Sequence, residues 1–238
     1  MRIAVVSFYY YRNDYWCNYD NVESYCEKHG YDLHYNIKQV DSENIHTPTY
    51  DGILYMRELL EKEYDYVFWI DGSDIIIVND EMKLEDMIGE KPIQFSNDVI
   101  TKTPLTIWES NTGLWGVKNH IDSKRYLDEV ISSYDPSYEG AWSDIYYHDQ
   151  NAMIDIGSNY LDFIDFDVLK QKYWFYNDPS FYNMSIEDMV NYFSNQGSNP
   201  NIYKVGDFMI HFAGKVLNSY QITKILNKIK DEVVIPKS

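Results

Sequence analysis

The first hundred residues alternate between apolar runs and segments of helical period. Arg2 to Phe8 is β-branched and apolar and predicts a buried strand. Asp14 can cap a helix running to about His29, with Tyr15, Tyr19, Val22 and Cys26 as its inner stripe and Gly30 closing it. Tyr31 to Asn36 predicts a second strand. Asp51 then caps a helix that turns Ile53, Met56, Leu59 and Leu60 inward. Tyr66 to Ile70 is wholly apolar, which places it centrally in a sheet covered on both faces. This βαβαβ order predicts an α/β fold with a mostly parallel, Rossmann-like sheet flanked by helices.

The pattern is less regular beyond residue 90. Pro92–Ser96, Gly113–Val117, Leu161–Phe166 and Phe208–Phe212 read as strands. Asp122–Ser132, Ser143–Asp155, a short segment from Ser185 to Phe193, and Lys215–Lys230 read as helices. Ser194–Asn201 is the loop-like stretch. With no linker and no repeat, the expectation is one domain over 1–238, made of a nucleotide-binding half (1–100) and an acceptor or sugar half (101–238) that ends in a helix.

Charge and composition narrow the partners. Twenty basic against 38 acidic residues give a net charge of −18, and the pI is near 4.5. A protein that tracks a phosphate backbone needs a basic stripe, so nucleic acid is excluded as a partner, and an anionic membrane surface is disfavoured. Twenty-four tyrosines and six tryptophans argue for a packed core rather than disorder. No apolar run approaches the ~20 residues of a membrane span. Met1 to Val6 reads as a strand rather than a signal peptide. Cys17 and Cys26 fall in one predicted helix, nine residues apart on opposite faces and separated by roughly 13 Å, too far for a disulfide. Free thiols in a soluble chain point to a reducing compartment, the cytoplasm.

Candidate chemistry follows the strands, where open α/β sheets bind ligands. Asp71-Gly72-Ser73-Asp74 comes directly after the central strand. Two carboxylates three apart in a Gly-containing turn can converge on a divalent cation, Mn²⁺ or Mg²⁺, or can simply form a surface turn. His211 ends the last apolar strand, with Gly214 and Lys215 behind it. It is either a nitrogen ligand or a satisfied core histidine, and Lys215 at a helix start suits a phosphate. Asn111-Thr112-Gly113 and Asp149-Gln150 either gather the amides and carboxylate that sugar hydroxyls need or form an edge turn entering a strand and the polar face of a helix.

Four stretches and a strand end, in this order, resemble metal-dependent glycosyltransferases of the GT-A fold. The similarity is greatest to the galactosyl/xylosyltransferase family of plants and fungi, and extends to glycogenin-like enzymes. Tyr25-Cys26-Glu27-Lys28-His29-Gly30-Tyr31-Asp32 resembles that family's "YC-x-x-HGY" segment. Phe68 to Asp74 resembles its "WxDxD" metal motif, Asn111-Thr112-Gly113-Leu114 its "N-[AST]-G" strand entry, and Asp149-Gln150 its "[DE]Q" pair. His211-Phe212-Ala213-Gly214 resembles its "HFAG" end. The chain departs from D-x-D by having D-x-x-D, a variant that resembles collagen-modifying glycosyltransferases.

The resemblance implies transfer of a hexose or pentose from a nucleotide sugar, UDP-linked, to a glycan or glycoprotein acceptor, with retention of configuration. It implies Asp71, Asp74 and His211 as metal ligands and Lys215 beside the diphosphate. It places Ser7, Phe8 and Tyr9 near the base and ribose, with Tyr9 or Tyr10 either stacking on uracil or filling the core. It places Asn111 and Asp149 on the donor sugar, and makes Asp149 or Gln150 the group that assists displacement. Arg57, on the helix before the metal strand, is either a donor contact or a solvated helix residue. Two other readings use the same scaffold. One is a non-catalytic carbohydrate-binding protein. The other is a metal-dependent nucleotidyltransferase, against which the Gly-free stretch Phe8 to Asn13 counts.

Overall fold

A computed structural model describes residues 1–11, 17–39, 46–72, 75–97, 110–134, 149–169, 171–173 and 207–211. The expected segments 185–193, 194–201 and 215–230 lie outside these residues.

The βαβαβ start is present. Strand β1 (Ile3–Tyr11), helix α1 (Tyr19–His29), β2 (Asp32–Gln39), α2 (His46–Leu59) and β3 (Tyr66–Ile70) follow one another. Then come β4 (Ile75–Ile77), β5 (Ile93–Asn97), β6 (Ser110–Lys118), α3 (Ile121–Ser132), α4 (Asp149–Gly157), β7 (Ile164–Leu169), β8 (Gln171–Tyr173) and β9 (Met209–His211). The main sheet has six strands in the order β2-β1-β3-β6-β5-β7, and β4-β9-β8 form a second, small sheet. The pairs β1–β2, β1–β3 and β5–β7 are parallel, as expected, but β6 runs antiparallel to both β3 and β5.

The apolar pattern explains the layers. Along β3 all five residues are buried, with Val67 and Trp69 on one face and Tyr66, Phe68 and Ile70 on the other. On the first face, Ile53, Met56 and Leu59 of α2 and Leu60 just beyond it join Tyr126, Leu127 and Val130 of α3 and Met153 of α4. On the second, Val22, Tyr25 and Cys26 of α1 pack with Ile75, Ile77 and Met209 of the small sheet. Each such side chain, fully buried, contributes roughly 1.5–3 kcal/mol. Gly30 ends α1 in the left-handed region at φ 73°, where a side chain would be strained.

Two helix starts and one buried stripe differ from expectation. Helix α1 begins at Tyr19, so Cys17 precedes it, while the expected cap Asp14 lies outside the described residues; both cysteines are free. Tyr25, rather than Tyr19, fills its buried stripe. Helix α2 begins at His46, which puts Asp51 inside the helix rather than at its cap. Among the described residues, no helix is long and apolar enough to cross a membrane.

Candidate active site

The site forms where β3 ends. Asp71 extends the β3–β6 ladder by one bond, its N–H donating to the Gly113 carbonyl at 2.9 Å. Its carboxylate is held on one side. The Trp69 indole N–H donates to Oδ1 at 2.6 Å, and Trp69 is itself clamped between Phe8 and the bare backbone of Gly52. A Cβ on Gly52 would lie 2.4 Å from the indole ring.

The other carboxylate oxygen faces a histidine. His211 Nε2 lies 4.0 Å from Asp71 Oδ2. The small sheet makes this contact, because β4 returns antiparallel to β9 and sets His211 opposite Ile75. His211 is almost fully buried. Its ring lies on Gly113, where an added Cβ would come within 2.2 Å of Cε1.

Strand β6 is bent at this point. Phe95 pairs with Trp115, but the next β5 residue, Ser96, pairs with Asn111, so Thr112, Gly113 and Leu114 have no β5 partner in the ladder. Such a bulge re-aims side chains and is frequent beside active sites. Here it carries Asn111 and Thr112 to the end of β3. Asn111 Oδ1 accepts the Gly113 N–H at 2.6 Å, and Ser96 Oγ donates to the Asn111 carbonyl. From the first turn of α4, Gln150 Oε1 accepts both the N–H and the hydroxyl of Thr112, each at 3.2 Å. With its oxygen so engaged, Gln150 offers its amide N–H groups as donors.

The structure therefore brings together Asp71, His211, Asn111 and Gln150, with Asp149 beside Gln150 on α4. Asp74 and Lys215 lie outside the described residues. Among those described, no cluster of three His, Cys, Asp or Glu side chains forms. The Asp71–His211 pair nevertheless suits a divalent ion. Its 4.0 Å separation lies within the span of two metal–ligand bonds of about 2.1 Å, and a carboxylate and an imidazole are both competent donors.

Two expectations are corrected. The first strand, expected to end at Phe8, continues to Tyr11 through its pairing with β2. Ser7, Phe8 and Tyr9 are consequently buried, and Phe8 belongs to the core against Tyr55 and Trp69 rather than to an open base site. The backbone, however, does reach the site. A Cβ on Gly72 would lie 2.5 Å from the Phe8 carbonyl oxygen, so the glycine lets β1 and the acidic turn touch. Arg57 is held elsewhere. It pairs with Asp128 of α3 at 2.9 Å and with Glu61, tying α2 to α3. It lies five residues beyond Gly52, about 7.5 Å along the helix from the residue that packs on Trp69.

Residues that the sequence did not single out also bear on the turn. Trp69 anchors Asp71, and Asn18 and Asn21 hold the turn from α1. The signal available in advance was an Asn-x-x-Asn pair at a helix start, a pattern that capping alone accounts for.

Comparisons with known proteins bear on the family and the fold. The profile of the galactosyl transferase GMA12/MNN10 family matches residues 17–129, which include the Asp71 turn and Asn111 but not α4 or His211. No curated protein matches by sequence. A glycosyltransferase involved in glycosylation of the major capsid of PBCV-1 is similar over 97% of this chain and 100% of its own, with a TM-score of 0.56 at 14% identity. The catalytic domain of Drosophila β1,4-galactosyltransferase 7, complexed with xylobiose, aligns over 66% of this chain and 62% of its own, at TM-score 0.39 and 15% identity. The Streptococcus pneumoniae glycosyltransferase GlyE aligns over 100% of this chain and 65% of its own, at TM-score 0.41 and 14% identity. The chain has a GT-A-like fold, and its residues 17–129, from α1 into α3 and including the Asp71 turn, match the galactosyl transferase GMA12/MNN10 family.

Proposed function

We propose that the protein transfers a hexose or pentose from a UDP-linked sugar to a hydroxyl of a glycan or glycoprotein acceptor, with Mn²⁺ (or Mg²⁺) as cofactor and with retention. The observation that carries the metal requirement is the approach of Asp71 Oδ2 to His211 Nε2, 4.0 Å, at the end of the central strand. A chain with net charge −18 has little basic surface for a diphosphate, so a cation held by its own acids resolves the repulsion.

Asp71 and His211, with Asp74 completing the set, would hold the ion. When bound, the ion would neutralise the donor diphosphate and stabilise the departing nucleotide. Lys215, four residues after His211, would add a second positive charge to the diphosphate. Asn111 and the Gln150 amide donate hydrogen bonds to the sugar hydroxyls and fix the ring. Asp149, one residue before Gln150 on the same helical turn, is the carboxylate that assists displacement at the anomeric carbon. Ser7, Phe8 and Tyr9 support the base site from beneath as core residues, and Arg57 serves as a tie between helices. In this reading residues 1–100 supply the nucleotide half and 101–238 the sugar and acceptor half of one domain.

A panel of UDP-glucose, UDP-galactose and UDP-xylose with Mn²⁺, scored by released UDP, tests the proposal. One donor is expected to be turned over, with turnover lost on chelation. Absence of turnover with every donor, with saturable glycan binding retained, would favour the carbohydrate-binding reading.

A further inference from the structure

Two asparagines of α1 hold the residues on either side of the acidic turn, Asp71 before it and Ile75 and Ile77 after it. Asn18 occupies the N-cap position of α1, where an Asn oxygen ordinarily accepts an N–H of its own helix. Its side chain makes no such cap. It is fully buried and points to the turn instead. The amide nitrogen donates to the Asp71 carbonyl at 2.6 Å and to the Ile75 carbonyl at 3.0 Å, which uses both amide hydrogens. Its backbone N–H donates to the Gly72 carbonyl at 3.2 Å. Its Oδ1 accepts the Tyr35 hydroxyl at 3.1 Å, and the Cys17 thiol lies 3.0 Å from the same hydroxyl.

Asn21, one turn further along the helix, pairs with the next strand as a backbone would. Its Nδ2 donates to the Ile77 carbonyl at 3.0 Å, and its Oδ1 accepts the Ile77 N–H at 2.8 Å. The two side chains therefore fix Asp71 at one end of the turn and Ile75 and Ile77 at the other. Ile75 is also the residue opposite His211 in β4–β9. One short segment of helix thus holds the strand end that bears Asp71 and the strand that presents His211.

We propose that Asn18 and Asn21 are positioning residues for the divalent-cation site: they set the distance between Asp71 and His211 by tying both of their supporting strands to α1. The proposal rests on the metal reading given above. A single buried amide, that of Asn18, bonds both Asp71 before the turn and Ile75 after it. No other side chain of similar size supplies two donors on one atom. Asn18→Asp keeps the shape but sets a carboxylate against two carbonyl oxygens. Asn21→Ala removes both bonds to Ile77 from a half-buried position.

The test is Mn²⁺ binding by the protein alone, followed by electron paramagnetic resonance of the free ion, alongside thermal melting without metal. Outer-shell partners typically change metal affinity 10- to 100-fold. Asn21→Ala is expected to raise the Mn²⁺ dissociation constant about tenfold and Asn18→Asp about 100-fold. Val130→Ala, in the core of α3 away from the turn, should lower the melting temperature and leave Mn²⁺ affinity unchanged. If Asn18→Asp does not fold, Asn21→Ala decides. Mn²⁺ binding by Asn21→Ala within twofold of wild type, with Asp71→Asn binding lost, would overturn the positioning role and leave the metal site standing. Equal Mn²⁺ binding by wild type and Asp71→Asn would overturn both.

Discussion

Replacing Asp71 by Asn is expected to remove at least about 100-fold of glycosyl transfer while leaving the melting temperature within a few degrees of wild type. The shape of the side chain is unchanged, so the substituted oxygen can still accept the Trp69 indole N–H that now reaches Oδ1 at 2.6 Å. What is lost is the negative oxygen that faces His211 Nε2 at 4.0 Å. An amide nitrogen in that place brings hydrogens toward any cation and no charge to hold it. The fold has little stake in the change, because the Asp71 side chain is about one-third exposed and its N–H bond to Gly113 belongs to the backbone. Steady-state UDP release at saturating Mn²⁺, with melting monitored by circular dichroism, separates the two effects. Activity within threefold of wild type would remove Asp71 from the metal site.

Gly113→Ala is the second large expectation, and it probes His211 rather than Asp71. The added methyl would lie 2.2 Å from His211 Cε1 and 2.9 Å from Asn111 Oδ1, so the ring must move or the bulge must open. Overpacking of this kind costs about 1–3 kcal/mol, which for a chain of this length lowers the melting temperature by about 2–4 °C per kcal/mol. Because the displaced group is a proposed ligand, the Mn²⁺ concentration for half-maximal activity should also rise by about ten- to 100-fold. Gly116→Ala supplies the contrast. Its methyl would meet Phe68 at 2.6 Å in the core, and it should lose stability without changing the Mn²⁺ requirement. In the double variant His211→Ala with Gly113→Ala the clash with the imidazole ring is gone, and only the approach to Asn111 Oδ1 remains. Stability should then recover relative to Gly113→Ala, while activity stays at the level of His211→Ala. Additive losses in the double variant would contradict a contact between these residues.

Much of this arrangement was legible in the chain, for identifiable reasons. A wholly apolar Tyr66–Ile70 followed at once by Asp-Gly-Ser-Asp can be little else than a central strand that ends in an acidic turn. Gly30 at the end of a helical stripe announced its left-handed cap, and the alternation of strand and helix predicted that β1, β2 and β3 run parallel. The direction of β6 was not legible. Gly113-Leu114-Trp115-Gly116 is apolar on both faces, and such a run reads the same in a parallel or an antiparallel neighbour. Its bulge is set by pairing with Ser96 and Trp115's partner Phe95, contacts between segments that no local pattern encodes. Tyr9 was ambiguous, and Phe8 was placed at the base, because an aromatic ring serves a core and a base equally well. Pairing with β2 as far as Tyr11 decided for the core. Arg57 was ambiguous because its partner Asp128 is 71 residues away. Asn18 escaped notice because Asn at a helix start has an ordinary explanation, and only the direction of its amide shows that it serves the turn instead.

In the proposed function a cation mediates between the acidity of the chain and a UDP-linked donor, and calorimetric titration of UDP tests this most directly. With Mn²⁺ present, UDP should bind to one site per chain. With the metal chelated, the affinity should fall at least about 100-fold. Equal affinity with and without the metal, or no binding of UDP under either condition, would contradict the assignment of Asp71 and His211 as the seat of a metal-bound nucleotide diphosphate.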